Sequence, residues 1–196
     1  MLHAFGDSFT LGVELSDCPT GTYTKHSMLT YSALSAKHLG LQYQCHAQGH
    51  SSNNGILRQI KLANIHKTDT VMVMWTFAIR FAFMFAGQRG WSTIDQDEDK
   101  WYWKNVDQTS EECLERSLDS ILAAQTILDS IGANYIFLCN NIELQDKIQY
   151  NSLWLNKQRW FFLPNDHDML NHTTASHPGD AIHRDVFNKL KDRLDG

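Results

Sequence analysis

The segment Asp69-Thr70-Val71-Met72-Val73-Met74-Trp75-Thr76 constrains the fold more than any other stretch of this chain. From Val71 to Trp75 it is apolar without alternation. A strand wet on one face alternates apolar and polar side chains. A continuous run of strand length belongs to a central parallel strand covered by helices on both faces. Leu2–Phe5 and Asn134–Cys139 also read as strands, Leu41–Ala47 reads as a further strand, and Trp160–Leu163 reads as a short edge strand stopped by Pro164. Helical periodicities lie between them. Met28, Leu29, Tyr31, Leu34, Ala36 and Leu39 mark a helix from Ser27 that Gly40 ends, and Ile56, Leu57, Ile60, Leu62 and Ala63 follow a Ser51 or Ser52 cap. Leu114, Leu118, Ile121, Leu122 and Leu128 follow Thr109 or Ser110, and Ile182, Val186, Phe187, Leu190 and Leu194 mark a closing helix. Residues 140–159 have no assignable period. Strands alternating with helices predict an α/β fold, a flavodoxin-like three-layer α/β/α sandwich around a mostly parallel sheet of about five strands. The 196 residues suit a single domain spanning 1–196.

Charge and composition exclude several functions. A net charge of −5 argues against a nucleic-acid groove, which needs clustered Lys and Arg, and no basic amphipathic helix suits a membrane surface. No apolar run reaches transmembrane length, and a core strand starting at residue 2 leaves no room for a cleavable signal, so a cytoplasmic protein is expected. Cys18, Cys45, Cys113 and Cys139 lack metal-type spacing and read as core thiols, with a disulfide left open. His167, Asp168 and His172 lie close together in one irregular stretch and make a poor ligand set, and phosphate- and dinucleotide-binding glycine patterns are absent, so neither metal nor cofactor is implied.

An insertion at about 77–106 carries Phe81, Phe83, Phe85, Trp91, Trp101, Tyr102 and Trp103 around the acidic stretch Asp95-Gln96-Asp97-Glu98-Asp99. A connection this long and aromatic suits a lid over a crevice, a surface for homo-oligomer contact, or a peripheral mini-core.

The chemistry concentrates at the two ends of the chain. Leu2–Phe5 runs into Gly6, Asp7, Ser8, Phe9 and Thr10, which puts a hydroxyl at the carboxyl end of a buried strand, where α/β sheets bind ligands. Asp7 and Ser8 also suit a helix cap. Far away, Ser176-His177-Pro178-Gly179-Asp180-Ala181-Ile182-His183 places a histidine in a rigid turn before the last helix. Gly-Asp-Ser and His-Pro so placed resemble the first and fifth motif blocks of the SGNH (GDSL-type) hydrolases, a family of serine esterases and lipases. Gly49 with Ser51, Ser52 and Asn53 resembles the second block, so short motifs spread the likeness over nearly the whole chain. It implies Ser8 as nucleophile, His177 as base, and the amides of Ser8 and Gly49 as donors to the oxyanion.

Two positions depart from the family pattern. An aspartate usually stands three residues before the histidine; here that position is Thr174. Asp166 or Asp168 from the preceding loop, or a backbone carbonyl, are candidates to orient the imidazole instead. A rival alignment takes Asp180-x-x-His183 as the motif and makes His183 the base, although an Asp and His three apart in a helix commonly form a surface pair. The third block, Gly-x-Asn in the family, reads Trp75-Thr76-Phe77-Ala78, so its oxyanion donor must come from Thr76, Arg80 or Asn53. Losing one such donor typically costs ~3 kcal/mol of transition-state stabilisation. Arg80 also suits a grip on a substrate carboxylate or an ion pair with the acidic insertion, and Trp75, Trp101 and Trp103 suit sugar stacking or core packing.

The resemblance therefore implies a serine esterase acting on a small acyl ester, an acetyl group on a saccharide being the leading case. The expected partner is a small-molecule or saccharide ester, with no nucleic acid and no membrane. A binding or structural protein that keeps the fold with weak or no turnover, and an acyltransferase in which an alcohol intercepts the acyl-enzyme, are the alternatives.

Overall fold

A computed structural model of the chain describes residues 1–18, 25–83, 92–94, 110–151, 154–163 and 177–195. Strands β1 (Leu2–Phe5), β2 (Tyr43–Cys45), β3 (Thr70–Trp75), β6 (Asn134–Cys139) and β7 (Trp160–Phe162) form a parallel sheet in the order β2-β1-β3-β6-β7. The apolar run at Val71–Trp75 is central, and Trp160–Phe162 is an edge, as the sequence predicts.

Alternation along each strand builds two cores. Phe5, Val71, Val73, Trp75, Tyr135, Phe137 and Cys139 point to one face and pack with Ile56 and Ile60 of α3 (Asn53–Leu62) and with Ile121, Ala124 and Leu128 of α4 (Ser110–Ile131). Leu2, Ala4, Met72, Met74, Ile136 and Leu138 point to the other face. They meet Tyr31 and Ala36 of α2 (Tyr31–His38) and Val186 and Leu190 of α6 (Asp180–Leu194). Both faces of β3 are thus dry, which is why its sequence does not alternate.

Where boundaries differ from expectation, local hydrogen bonds explain it. Helix α2 starts at Tyr31 rather than Ser27 because Asp17 holds the Ser27 hydroxyl and the Met28 amide, and the Thr30 hydroxyl caps the helix by accepting from the Ala33 amide. Ser52, not Ser51, caps α3. The unassigned stretch 140–159 contains helix α5 (Ile142–Asn151) and a 3₁₀ turn (Lys157–Arg159). Only Leu144 and Ile148 of α5 are fully buried apolar residues, a stripe too short to register as a period.

In the insertion, β4 (Phe81–Phe83) and β5 (Ser92–Ile94) pair antiparallel, and both backbone polar groups of Ala82 bond to the Asn54 side chain of α3. Trp91, Trp101 and Trp103 lie outside the described residues. None of the four cysteines is in a disulfide. Among the described residues, no helix is long and apolar enough to cross a membrane.

Candidate active site

Three strand ends converge on Ser8. Strand β1 sits between β2 and β3, which its chain reaches in opposite directions, the position where open α/β sheets form a crevice at the carboxyl ends of their strands. After Phe5 the chain turns so tightly that a Cβ on Gly6 would lie 2.2 Å from Thr10 Oγ1, so only glycine fits. Asp7 caps the single turn α1 (Ser8–Leu11) by accepting from the Phe9 amide at 3.0 Å, and Gly12 ends it at φ +78. The cap reading therefore holds for Asp7, whereas Ser8 is the first helical residue.

Asp7 is the anchor of a buried network. Its Oδ2 accepts from the Thr76 hydroxyl at 2.7 Å and from Arg80 Nη1 at 2.8 Å, and Arg80 Nη1 also reaches Thr76 Oγ1 at 2.9 Å. Asn53 fixes Thr76 from the other side: its Oδ1 accepts from the Thr76 amide at 2.9 Å, while its Nδ2 donates to the Thr76 carbonyl and to Ser117 Oγ. The turn carrying Ser8 is thereby locked to the end of β3. Ser8 itself is 8% exposed, and its Oγ has no hydrogen-bond partner among the described residues. Beyond Arg80, a cavity of about 240 Å³ opens between α3 and α4, lined by Asn53, Asn54, Ala78, Arg116 and Ser117.

Gly49 arrives along the extension of β2. The His46 amide donates to the Ala4 carbonyl and the Gln48 amide to the Gly6 carbonyl, which carries the next residue to the Ser8 turn. His50 then adopts a left-handed φ of 56 before α3 begins. Among the described residues, neither the Ser8 nor the Gly49 amide has an acceptor.

The closing segment docks on the loop after Ser8. The His177 amide donates to Glu14 Oε2 at 3.2 Å, and its Nδ1 lies 3.5 Å from the same oxygen. Asp180 accepts from both the amide and the hydroxyl of Ser16, at 3.1 and 2.6 Å. The two ends of the chain meet through these contacts, although no hydrogen bond joins His177 to Ser8 among the described residues. Catalytic hydrogen bonds are often long without substrate and tighten when it binds.

Several expectations change. Asn53 has both Nδ2 hydrogens committed to Thr76 and Ser117, and Thr76 gives its hydroxyl proton to Asp7, so neither has a donor to turn toward an oxyanion. Arg80 is paired with Asp7 and lies over the Phe77 ring at 4.9 Å. His183 is not the surface partner of Asp180. It is 1% exposed, stacked on Phe9 at 4.4 Å, and its Nδ1 accepts from the Tyr31 amide; burial pushes its pKa down to about 3, against a smaller upward pull from Asp180. Trp75 is fully buried edge-to-face on Phe137 and offers no stacking surface to a sugar. Asp166, Asp168, His167, His172 and Thr174 lie outside the described residues. Sequence reasoning missed Glu14 altogether, since nothing in Val13-Glu14-Leu15 marks it.

No family model and no curated protein matches the chain. Solved structures do. A carbohydrate esterase described as having divergent catalytic and non-catalytic binding functions aligns with a TM-score of 0.62 at 15% identity, covering 99% of this chain and 67% of its own. The acetyl xylan esterase Est2A from Butyrivibrio proteoclasticus gives 0.59 at 16% identity, covering 98% and 62%. An extracellular lipase from Streptomyces rimosus gives 0.53 at 16% identity over 98% of both chains. The fold is that of the SGNH hydrolases. Within the SGNH fold this chain spans nearly the full length of the lipase but only about two thirds of the carbohydrate esterases.

Proposed function

We propose that this protein is a serine esterase that hydrolyses a small acyl ester, with an acetyl group on a saccharide as its substrate class. The observation that carries this reading is Ser8 itself. Every polar side chain that locks its turn is engaged, while among the described residues its own hydroxyl has no partner at the sheet's crevice and the Ser8 and Gly49 amides have no acceptors. His177 is the base. Its segment docks against Glu14 of the loop that follows Ser8, whereas His183 is buried, bonded and held neutral far below its ordinary range, which makes it a poor proton acceptor.

In the proposed reaction Ser8 Oγ bonds to the ester carbonyl carbon as its proton passes to His177 Nε2, and the carbonyl electron pair becomes an oxyanion held by the Ser8 and Gly49 amides. Collapse breaks the bond to the alcohol, which leaves with the proton from His177. Water then attacks the acyl-enzyme by the same steps and releases the acid. The saccharide and acetyl assignment rests on the likeness to the carbohydrate and acetyl xylan esterases.

One observation favours a second reading. With Asn53 and Thr76 committed elsewhere, neither supplies a third oxyanion donor, which suits a binding protein with weak turnover, and one structural neighbour is described as having non-catalytic binding functions. Hydrolysis of p-nitrophenyl acetate by the wild type and Ser8→Ala separates the two. The esterase loses at least ~10³-fold in kcat with the substitution. Equal background rates in both proteins would leave the binding reading standing.

A further inference from the structure

We infer that Glu14 is the carboxylate that orients His177, in place of the aspartate the family carries three residues before the histidine; the inference rests on the esterase reading of Ser8. Three observations converge on it. The first is which atom Glu14 faces. Its Oε2 lies near both the backbone amide and Nδ1 of His177, so the ring nitrogen turned toward the carboxylate is the one that leaves Nε2 to serve the nucleophile. A carboxylate there selects the Nδ1–H tautomer and stabilises the imidazolium that forms when Ser8 gives up its proton; the proton stays on the ring throughout. The pair is partly shielded, with side chains 19% and 21% exposed, which strengthens it relative to a fully solvated contact.

The second observation is backbone conformation. Glu14 has φ +69, in the left-handed region that glycine and asparagine occupy readily and glutamate seldom does. Such a conformation persists only where its surroundings enforce it. The third is the clasp on either side. The Val13 amide donates to the Ser8 carbonyl at 3.1 Å, and Ser16 bonds Asp180 through two contacts. Glu14 therefore sits between a residue fastened to the nucleophile's turn and one fastened to the closing helix, where a single side chain can set the relation between hydroxyl and imidazole. Thr174, at the family's usual position, has no carboxylate to compete for the role.

The test compares wild type, Glu14→Gln, Glu14→Asp, Glu14→Gly and Ser8→Ala by p-nitrophenyl acetate kinetics, fluorophosphonate labelling of Ser8 and thermal melting. As a positioning residue, Glu14 gives a Gln variant with kcat lower by ~10²–10⁴-fold, KM and Tm unchanged, and labelling slowed in step. The Asp variant recovers part of the lost rate. The Gly variant, relieved of the left-handed strain, melts no lower than wild type and is as slow as Gln. A wild type labelled at Ser8 together with a Gln variant of unchanged kcat overturns the role of Glu14 alone. Rate losses that track falling Tm in both the Gln and Gly variants overturn it in favour of a structural clasp. A wild type that is not labelled, and turns over no faster than Ser8→Ala, overturns the esterase reading and the role of Glu14 with it.

Discussion

Asp7 and Asp69 are both buried carboxylates on one sheet, yet they stand at opposite ends of it and serve different purposes. Asp69, at the amino end of β3, accepts from the His66 amide and the Met1 ammonium and pairs with His3. His3 in turn contacts His46, and Phe5 stacks on His46 at 4.6 Å. Burial raises the Asp69 pKa, but its hydrogen bonds and the ammonium outweigh this and hold it at about 2. Asp7, at the carboxyl end, collects the Phe9 amide, the Thr76 hydroxyl and Arg80 in the same manner. A satisfied buried carboxylate is therefore no mark of a reactive site. What distinguishes the carboxyl end is the neighbour left out of the network, the Ser8 hydroxyl. At the amino end the side chains of His3, His46 and Asp69 instead close on one another.

The sharpest way to break this contrast is Asp7→Ala. It removes three hydrogen bonds at once, including the ion pair with Arg80, and unlocks the Ser8 turn from Thr76. A loss of about 3–5 kcal/mol is expected in urea unfolding, together with loss of fluorophosphonate labelling. Stability lost with labelling intact would mean that the network does not position Ser8.

Asp69→Asn should cost less, about 1–3 kcal/mol at neutral pH, and leave the labelling of Ser8 as in wild type. The pH dependence follows from the direction of the shift. Because the folded pKa is depressed from 3.8 to about 2, the stabilisation is fully present above about pH 4 and lost as pH falls toward 2. The gap between wild type and variant in urea midpoint should accordingly close over that window. A gap that persists at pH 2 would show that shape, not charge, accounts for the contribution of Asp69.

The parts of the molecule that could be read from the sequence are those governed by local pattern. Val71–Trp75 announces a strand dry on both faces, and Gly6, Gly49 and His177-Pro178 mark turns at element ends. What could not be read depends on atoms meeting across the chain. Glu14 and His177 are 163 positions apart, and the left-handed backbone at Glu14 has no glycine or asparagine to signal it. Thr76 carries a hydroxyl that suits an oxyanion, but its proton goes to Asp7, 69 positions away. Asp180 and His183 have the spacing of a surface pair. Tertiary contacts instead turn Asp180 to Ser16 and bury His183 against Phe9 and Tyr31.

His183 carries the smallest expected effect at neutral pH and sharpens the comparison from within the closing segment. It lies six positions after His177, yet burial keeps its ring neutral, with the folded pKa pushed from 6.5 to about 3. The unfolded chain takes up a proton there below about pH 6.5 and the folded chain does not, so the site costs stability progressively as pH falls from 6.5 toward 3. His46, lowered by burial to about 4, and His3, lowered in the same direction, add to the trend. His183→Asn retains an acceptor for the Tyr31 amide and removes the titrating group. It should lose only about 0.5–1.5 kcal/mol at pH 7, through the missing ring contacts with Phe9 and Tyr31, and show a shallower fall in urea midpoint between pH 6.5 and 4 than wild type. Parallel curves for the two proteins would mean that the ring is reached by protons in the folded state, and the case for His177 over His183 as the base would lose one of its two supports.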